Sequence, residues 1–247
     1  MKFTGERLVL GESKARIESE HLARYRFAAQ LVTGKRVADI ACGTGYGTQL
    51  LAKAGARSVH GIDLSEEAVK CCVENNNTPN VTYSVANAQS LKAIADGEFD
   101  VVVSFETIEH LPNVEAYLDE MARILRPDGT FLVSTPDRRI ASVMHFFLGH
   151  PGNKYHVREY TERELLRLLS TRFQIKACYG QAFLPRWLVF WPVQFLVKTF
   201  CRILGTASAR DFKDNLYGNW GNVEATPKTS SSKIPQFWII HCARADN

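Results

Sequence analysis

Val37-Ala38-Asp39-Ile40-Ala41-Cys42-Gly43-Thr44-Gly45-Tyr46-Gly47 decides how this chain reads. An apolar run ends in an acid, glycines follow at alternate positions, and a helical pattern opens. That is the order of a strand, a tight turn and a helix N-terminus. Glycine admits positive φ and lets a ligand approach the main chain. The unpaired N–H groups of a helix start attract negative charge such as a carboxylate or phosphate. A glycine triplet on its own is a weak sign of a nucleotide site.

Two acids sharpen the reading. Asp39 sits inside the turn, four residues before the first glycine. Asp63 ends the next apolar run, Ser58-Val59-His60-Gly61-Ile62, at about the 20-residue distance of a ribose-binding acid in a dinucleotide fold. The G-x-G-x-x-G fingerprint of such a fold is absent, and an acid beside the loop repels a pyrophosphate. It suits a ligand with an ammonium or sulfonium group. S-adenosylmethionine carries both, together with a ribose for Asp63.

Outward from the turn, apolar strands and helical patterns alternate at short spacing. Residues 14–33 read as a helix closed by Gly34, with Ile17, Leu22, Tyr25, Ala28, Ala29 and Val32 as its apolar stripe. Strands are predicted at 36–41, 58–63, 81–85, 99–105 and 130–135. Helices are predicted at 46–54, 66–76 (N-capped by Ser65) and 114–126. The near-continuous apolar run Phe99 to Phe105 suits the middle of a parallel sheet. The alternation predicts a doubly wound α/β sheet whose ligands bind beyond the C-terminal strand ends. Asp39, Asp63, Phe105 and Thr135 all fall at such ends.

Residues 136–160 then read as a long loop with a short helix, carrying Tyr155, His156 and Arg158. Thr161-Glu162-Arg163-Glu164 is a capping box opening a helix to about residue 170. Phe173 to Tyr179 and Phe237 to Cys242 read as strands, separated by a long insertion. Within it Trp187 to Val197 is almost wholly apolar, yet too short for the ~20 residues that cross a bilayer. It predicts a core or lid helix, or a membrane-surface segment over 183–204 with Trp187 and Trp191 at the interface. Residues 206–235 are polar and read as a flexible loop. The organisation expected is an arm and cofactor-covering helix at 1–34, a core at 35–180 and 236–247, and an insertion at 181–235.

At 247 residues and 45% hydrophobic, the chain can bury one α/β core. A net charge of +4 without a dense Lys/Arg block argues against a nucleic-acid partner. Cys42, Cys71, Cys72, Cys178, Cys201 and Cys242 form no C-x-x-C pair and no zinc spacing. With no apolar signal segment at the start, free thiols in a cytoplasmic protein are expected.

With these residues in place, the chain resembles the class I S-adenosylmethionine-dependent methyltransferases over about residues 30–180. Asp39-Ile40-Ala41-Cys42-Gly43-Thr44-Gly45, Gly61-Ile62-Asp63-Leu64-Ser65, Phe99 to Ser104 and Leu125-Arg126-Pro127-Asp128-Gly129 carry the resemblance. Within the class it resembles the branch linked to sugar and polysaccharide modification. Thr4-Gly5-Glu6-Arg7-Leu8, Glu20-His21-Leu22-Ala23-Arg24-Tyr25, Ser104 to Leu111 and His156 to Thr161 are the cues.

The resemblance implies a Rossmann-like methyltransferase fold, a mostly parallel seven-stranded sheet with an antiparallel last strand. It implies S-adenosyl-L-methionine as cofactor. Asp39, Ala41, Gly43 and Gly45 would line its methionine end, and Asp63 would take the ribose hydroxyls with Leu64 beside the adenine. Asn87 and Ala88 would sit at the adenine edge, Phe105 under the reacting end, and Tyr25 would reach the methionine carboxylate. Ala41 stands where the family usually has glycine, and Asn87 where it often has aspartate.

A sulfonium is an activated methyl donor, so positioning supplies much of the catalysis. A sugar hydroxyl also needs a general base within ~2.6–3.2 Å. His110 is the first candidate, because a histidine's ordinary pKa of ~6.5 suits proton uptake near neutrality. Glu106 and Glu109 are the alternatives, or orient His110. Tyr155, His156 and Arg158 form a second constellation, read as a substrate contact. No paired acids stand where a metal would sit beside the cofactor, so none is expected. The expected activity is O-methylation of a sugar, oligosaccharide or glycan precursor. A quinone-like, lipid-soluble phenol is the alternative acceptor. A cofactor-binding protein without catalysis is the third reading, against which the intact turn, Asp63 and His110 argue.

Overall fold

The computed structural model describes residues 15–141, 151, 153–186, 196, 223–225 and 233–245. Strands β1 (Arg36–Ile40), β2 (Ser58–Asp63), β3 (Val81–Val85), β4 (Phe99–Phe105), β5 (Leu125–Pro136), β6 (Phe173–Pro185), β7 (Val223–Ala225) and β8 (Lys233–Arg244) form one sheet. Their order is β3-β2-β1-β4-β5-β8-β6-β7. Strands β1 to β5 pair in parallel. Strand β8 lies antiparallel between β5 and β6. The chain winds outward from β1 to β3, then restarts on the other side of β1 with β4. That reversal opens the crevice above the C-terminal ends of β1 and β4, where such sheets take their ligands.

Burial follows the strand period. Val101 and Val103 of β4 face a cluster with Val37, Leu132 and Ile239, covered by Tyr25 and Ala28 of helix α1 (Ala15–Ala29) and Leu51 of α2 (Tyr46–Lys53). Val102 faces the opposite cluster with Ile40, Phe131, Val133 and Ile240. There Tyr117, Leu118 and Met121 of α4 (Val114–Ile124) and Leu165 and Leu169 of α6 (Glu162–Leu169) close the core. Both faces are therefore dry, which is why the central strand is apolar at nearly every position. Among the described residues the remaining α-helices are α3 (Glu66–Glu74) and the short α5 (Arg138–Ala141).

Helix starts sit where the sequence puts them. Ser65 Oγ accepts from Ala68 N at 3.2 Å. Thr161 and Glu164 close a reciprocal capping box at α6. The C-terminal part differs from expectation. Strands β6 and β8 run on past Tyr179 and start before Phe237, held in register from Phe173↔Arg244 to Pro185↔Lys233. The added strand β7 pairs with Tyr179 to Gln181, so the sheet has eight strands and the expected insertion supplies sheet edge. Gly180 with Gln181, and Pro235 with Gln236, look like breaks in the sequence. In the sheet a Cβ on Gly180 would lie 2.5 Å from the Phe183 ring and 2.7 Å from Pro235, so a glycine lets the two arms close.

The expected arm at 1–13, the apolar run Trp187 to Val197 apart from Leu196, and most of 206–235 lie outside the described residues. Among the described residues no helix is long and apolar enough to cross a membrane.

Candidate active site

The donor side is built on the end of β1. Asp39 is fully buried. Its Oδ1 accepts from the Tyr25 hydroxyl at 2.9 Å and its Oδ2 from Thr48 Oγ1 at 2.6 Å. Burial pushes the carboxyl up to about 7; the two hydroxyl bonds pull it down and the nearby Asp63 pushes it up. Both partners are neutral, so Asp39 is an uncompensated buried acid that suits a cationic ligand. Tyr25 is expected at a methionine carboxylate, but the structure turns it inward. Its hydroxyl is committed to Asp39, and its ring meets Tyr46 and Phe105 edge-on at 5.4 and 5.2 Å. A Cβ on Gly47 would collide with that ring. The third glycine of the turn therefore answers to a protein tyrosine.

The turn itself is left-handed at Ala41 (φ 60°), Gly43 (φ 57°) and Gly45 (φ 74°). Glycine takes that geometry without strain and alanine does not, which explains why the family usually has glycine at Ala41's place. Gly45 caps α2 with no side-chain bond to the helix start. A Cβ there would stand 2.8 Å from Cys72 Sγ and from the Tyr83 hydroxyl. Asp63 accepts from Gly43 N and Ser65 N, each at 2.9 Å, which fixes its carboxylate at the edge of the turn. Each oxygen keeps a lone pair for a hydroxyl donor. Leu64 beside it is 68% exposed, an apolar face open for a base. Asn87 is exposed, and its Oδ1 accepts from Gln89 N at 2.9 Å. Ala88 packs against the core. A buried acid without a cation, a glycine cradle, a tethered carboxylate and an exposed leucine together fit S-adenosylmethionine.

The acceptor side is built on the ends of β4 and β5. Glu106, just past Phe105, has φ 52°, a strained value for a side-chain residue. Ser134 Oγ donates to Glu106 Oε1 at 2.7 Å. The 3-10 turn Ile108–His110 follows. Glu109 in it is buried, with Thr135 Oγ1 donating to its Oε2 at 3.0 Å. Burial first, and the charge of Glu106 second, hold the Glu109 carboxyl well above the usual carboxylate range. Both effects favour the protonated form of Glu109 relative to an ordinary carboxylate.

The two sequence constellations, 45 residues apart, meet here. Val157 N and Arg158 N donate to the Glu109 carbonyl at 2.8 and 3.1 Å. His110 Nδ1 bonds the Tyr155 carbonyl at 3.1 Å. A carbonyl only accepts, so Nδ1 carries the hydrogen, and the neutral ring's lone pair lies on Nε2. The ring of His156 stands edge-on to His110 at 4.9 Å.

His156 does not face outward as a substrate contact. Asn153 Oδ1 accepts from Tyr155 N at 3.1 Å, which fixes the amide so that Nδ2 donates to His156 Nε2 at 3.0 Å. His156 Nδ1 must then donate to Glu159 Oε1, at 2.7 Å. Arg158 lies over the Tyr160 ring, Cζ 5.3 Å from its centroid, and Tyr155 is exposed with Lys154 over it. Among the described residues Glu109, His110 and His156 each place one ligand-type atom within 4.8 Å of the others. In His156 the Nε2 atom is already engaged by Asn153.

Sequence reasoning missed the residues that orient these groups: Thr48, Ser134, Asn153, Glu159, Arg24 and Gln181. Ser134 carried a signal, a small hydroxyl ending an apolar strand beside Thr135. Arg24 and Gln181 meet across 157 residues, whereas Thr48 is nine residues from Asp39, and Asn153 and Glu159 are each three from His156.

A crevice of this kind on a doubly wound sheet is where such folds take their ligands, and comparison with known proteins gives the family. A methyltransferase domain model matches residues 38–133. A Mycolicibacterium smegmatis protein described as a probable S-adenosylmethionine-dependent methyltransferase is 35% identical over 184 residues, 73% of this chain and 68% of that protein. The ubiquinone biosynthesis O-methyltransferase of Methylococcus capsulatus is 37% identical over 131 residues, 51% of this chain and 53% of that protein, so the chain spans about half of that relative's length. The YcgJ protein of Bacillus subtilis shares the fold with a TM-score of 0.59 at 19% identity, covering 94% of this chain and 100% of that one. A methyltransferase structure from Mesorhizobium loti does so with a TM-score of 0.60 at 17% identity, covering 91% and 100%. The chain belongs to the S-adenosylmethionine-dependent methyltransferases, and its cofactor is S-adenosyl-L-methionine.

Proposed function

We propose that the enzyme O-methylates a hydroxyl of a sugar, oligosaccharide or glycan precursor, with His110 as general base. The observation that carries the base assignment is the Tyr155 carbonyl at His110 Nδ1, which places the proton-accepting lone pair at Nε2. S-adenosylmethionine supplies a methyl group already activated on sulfur. Asp39 offers negative charge to the cationic donor, and Asp63 is held to receive ribose hydroxyls. His110 takes the acceptor proton as the oxygen attacks. Glu109, its side chain tied to Thr135, fixes the turn beneath it through the bonds of its backbone carbonyl to the Val157 and Arg158 amides. Tyr155 stays exposed at the rim, where it can meet the acceptor.

Buried polar side chains support a hydroxyl-rich acceptor: Glu20, Arg24, Glu109 and Gln181 all lie within the fold. A second reading is favoured by relatives named for ubiquinone biosynthesis: a quinone-like phenol, with contact at the membrane surface. Transfer of tritiated methyl across mono- and oligosaccharides and catechols separates them; label on phenols alone overturns the sugar reading. His110→Ala should keep donor affinity and lose about 10²–10⁴ in kcat. Unchanged kcat removes His110 from the reaction.

A further inference from the structure

Arg24 is the one arginine that the fold buries completely and leaves partly unbonded among the described residues. It is 0% exposed. Its Nη1 donates to Gln181 Oε1 at 2.7 Å, and its Cζ lies 4.6 Å from the centroid of the Phe237 ring. Nε and Nη2 have no hydrogen-bond partner. The neighbouring acids do not supply one. Glu20, Glu106 and Glu109 use one oxygen each for Arg16, Ser134 and Thr135, and the charges of Glu20 and Glu109 face the guanidinium without bonding Nε or Nη2. Gln181 is itself fixed, donating to the Glu20 carbonyl at 2.9 Å, so the guanidinium is held from one side only.

A buried charged donor without an acceptor is destabilising, and its unfilled edge is a place for a ligand's acceptor. Nε and Nη2 are adjacent on one edge of the planar group, the geometry that grips a carboxylate with two parallel bonds. Position decides whose carboxylate. Gln181 pairs with Phe237, and Phe237 pairs with Pro136, two residues beyond the Ser134 that holds Glu106. The Phe237 ring under Arg24 is on β8, beside β5, and the Arg24 charge reaches Glu109 at the end of β4. That is the acceptor's side of the crevice.

We propose that Arg24 anchors a carboxylate of the acceptor, so that the substrate is an acid-bearing hydroxyl compound, in sugar form a uronic acid. This rests on the O-methylation reading above. Arg24 projects from α1 and is fully buried against Gln181 of β6 and Phe237 of β8 in this structure, so binding a carboxylate there requires α1 to move away from that edge.

The test is labelled-methyl transfer by the full chain to matched pairs: methyl glucuronoside with methyl glucoside, methyl galacturonoside with methyl galactoside, and dihydroxybenzoate with catechol. The acid of a pair should exceed its neutral partner in kcat/KM by about 30-fold or more. Arg24→Met should abolish that preference, Arg24→Lys should restore part of it, and donor affinity by calorimetry should stay unchanged. Equal use of both members by the wild type overturns the proposal. So does a donor Kd raised about tenfold in Arg24→Met, because the group held is then the donor's own carboxylate. Equal losses on both members mean a structural role and overturn it too. Where nothing accepts label, the acids should still raise the melting temperature of wild type loaded with S-adenosylhomocysteine, and not that of Arg24→Met. That outcome would sink O-methylation and keep the anchor, whereas no acid-dependent shift sinks the anchor.

Discussion

The phenol of Tyr25 donates to Asp39 at 2.9 Å, deep beneath the glycine turn, with both side chains buried. Helix α1 thereby closes over the acid that ends β1. The tyrosine, like Thr48, stabilises the carboxylate with a neutral hydroxyl rather than a charge.

This pair predicts a pH dependence in the ligand-free protein. Asp39 has its carboxyl raised from 3.8 to about 7 by burial. An acid raised in the folded state binds more protons there than in the unfolded chain, so stability falls as pH rises from about 4 to about 7. The full shift corresponds to a ceiling of about 4 kcal/mol. Asp39→Asn should flatten the change in urea midpoint between about pH 4 and pH 8. Equal slopes in both proteins would assign the dependence elsewhere. Because the donor is cationic, its binding near neutrality should also release protons, seen as a calorimetric enthalpy that varies with buffer.

Ala41 occupies φ 60°. Ala41→Gly relieves a left-handed alanine worth roughly 1–2 kcal/mol against an entropy cost of about 0.4–1 kcal/mol. A gain of about 0.5–1 kcal/mol in a denaturation curve is expected. A loss of stability would mean that the methyl group packs usefully.

Burial, and then the charge of Glu106, raise the Glu109 carboxyl well above the usual carboxylate range. Glu109→Gln should therefore keep the Thr135 bond and change kcat at neutral pH by no more than about threefold. A fall of about a thousandfold would move the base from His110 to Glu109.

The Asn153 amide dictates the tautomer of His156. In ¹⁵N-resolved spectra of the neutral ring, Nδ1 should carry the proton and Nε2 should not. The reverse pattern would dissolve the Asn153–His156–Glu159 chain.

The strands that carry the donor site were legible because their signals are local. Phe99–Phe105 and Ser58–Asp63 are apolar runs with clear ends, and Ser65 and Thr161 are caps. The ends of β6 and β8 were not legible, because long-range pairing overrides the glycine and prolines within them. The role of Tyr25 was misread for the same reason. A helix pattern states that a tyrosine is buried but not which oxygen its hydroxyl meets.

Local chemistry in the amino-acid order thus settled the sheet, the glycine turn and the methyl donor, since a strand, a left-handed turn and a flanking acid need only near neighbours. Tertiary structure alone settled the acceptor side. There His110 joins Tyr155 across 45 residues of chain, and Arg24 joins Gln181 across 157. A side chain's proton, charge and free edge are set by what packs against it, and packing exists only once the sheet has closed.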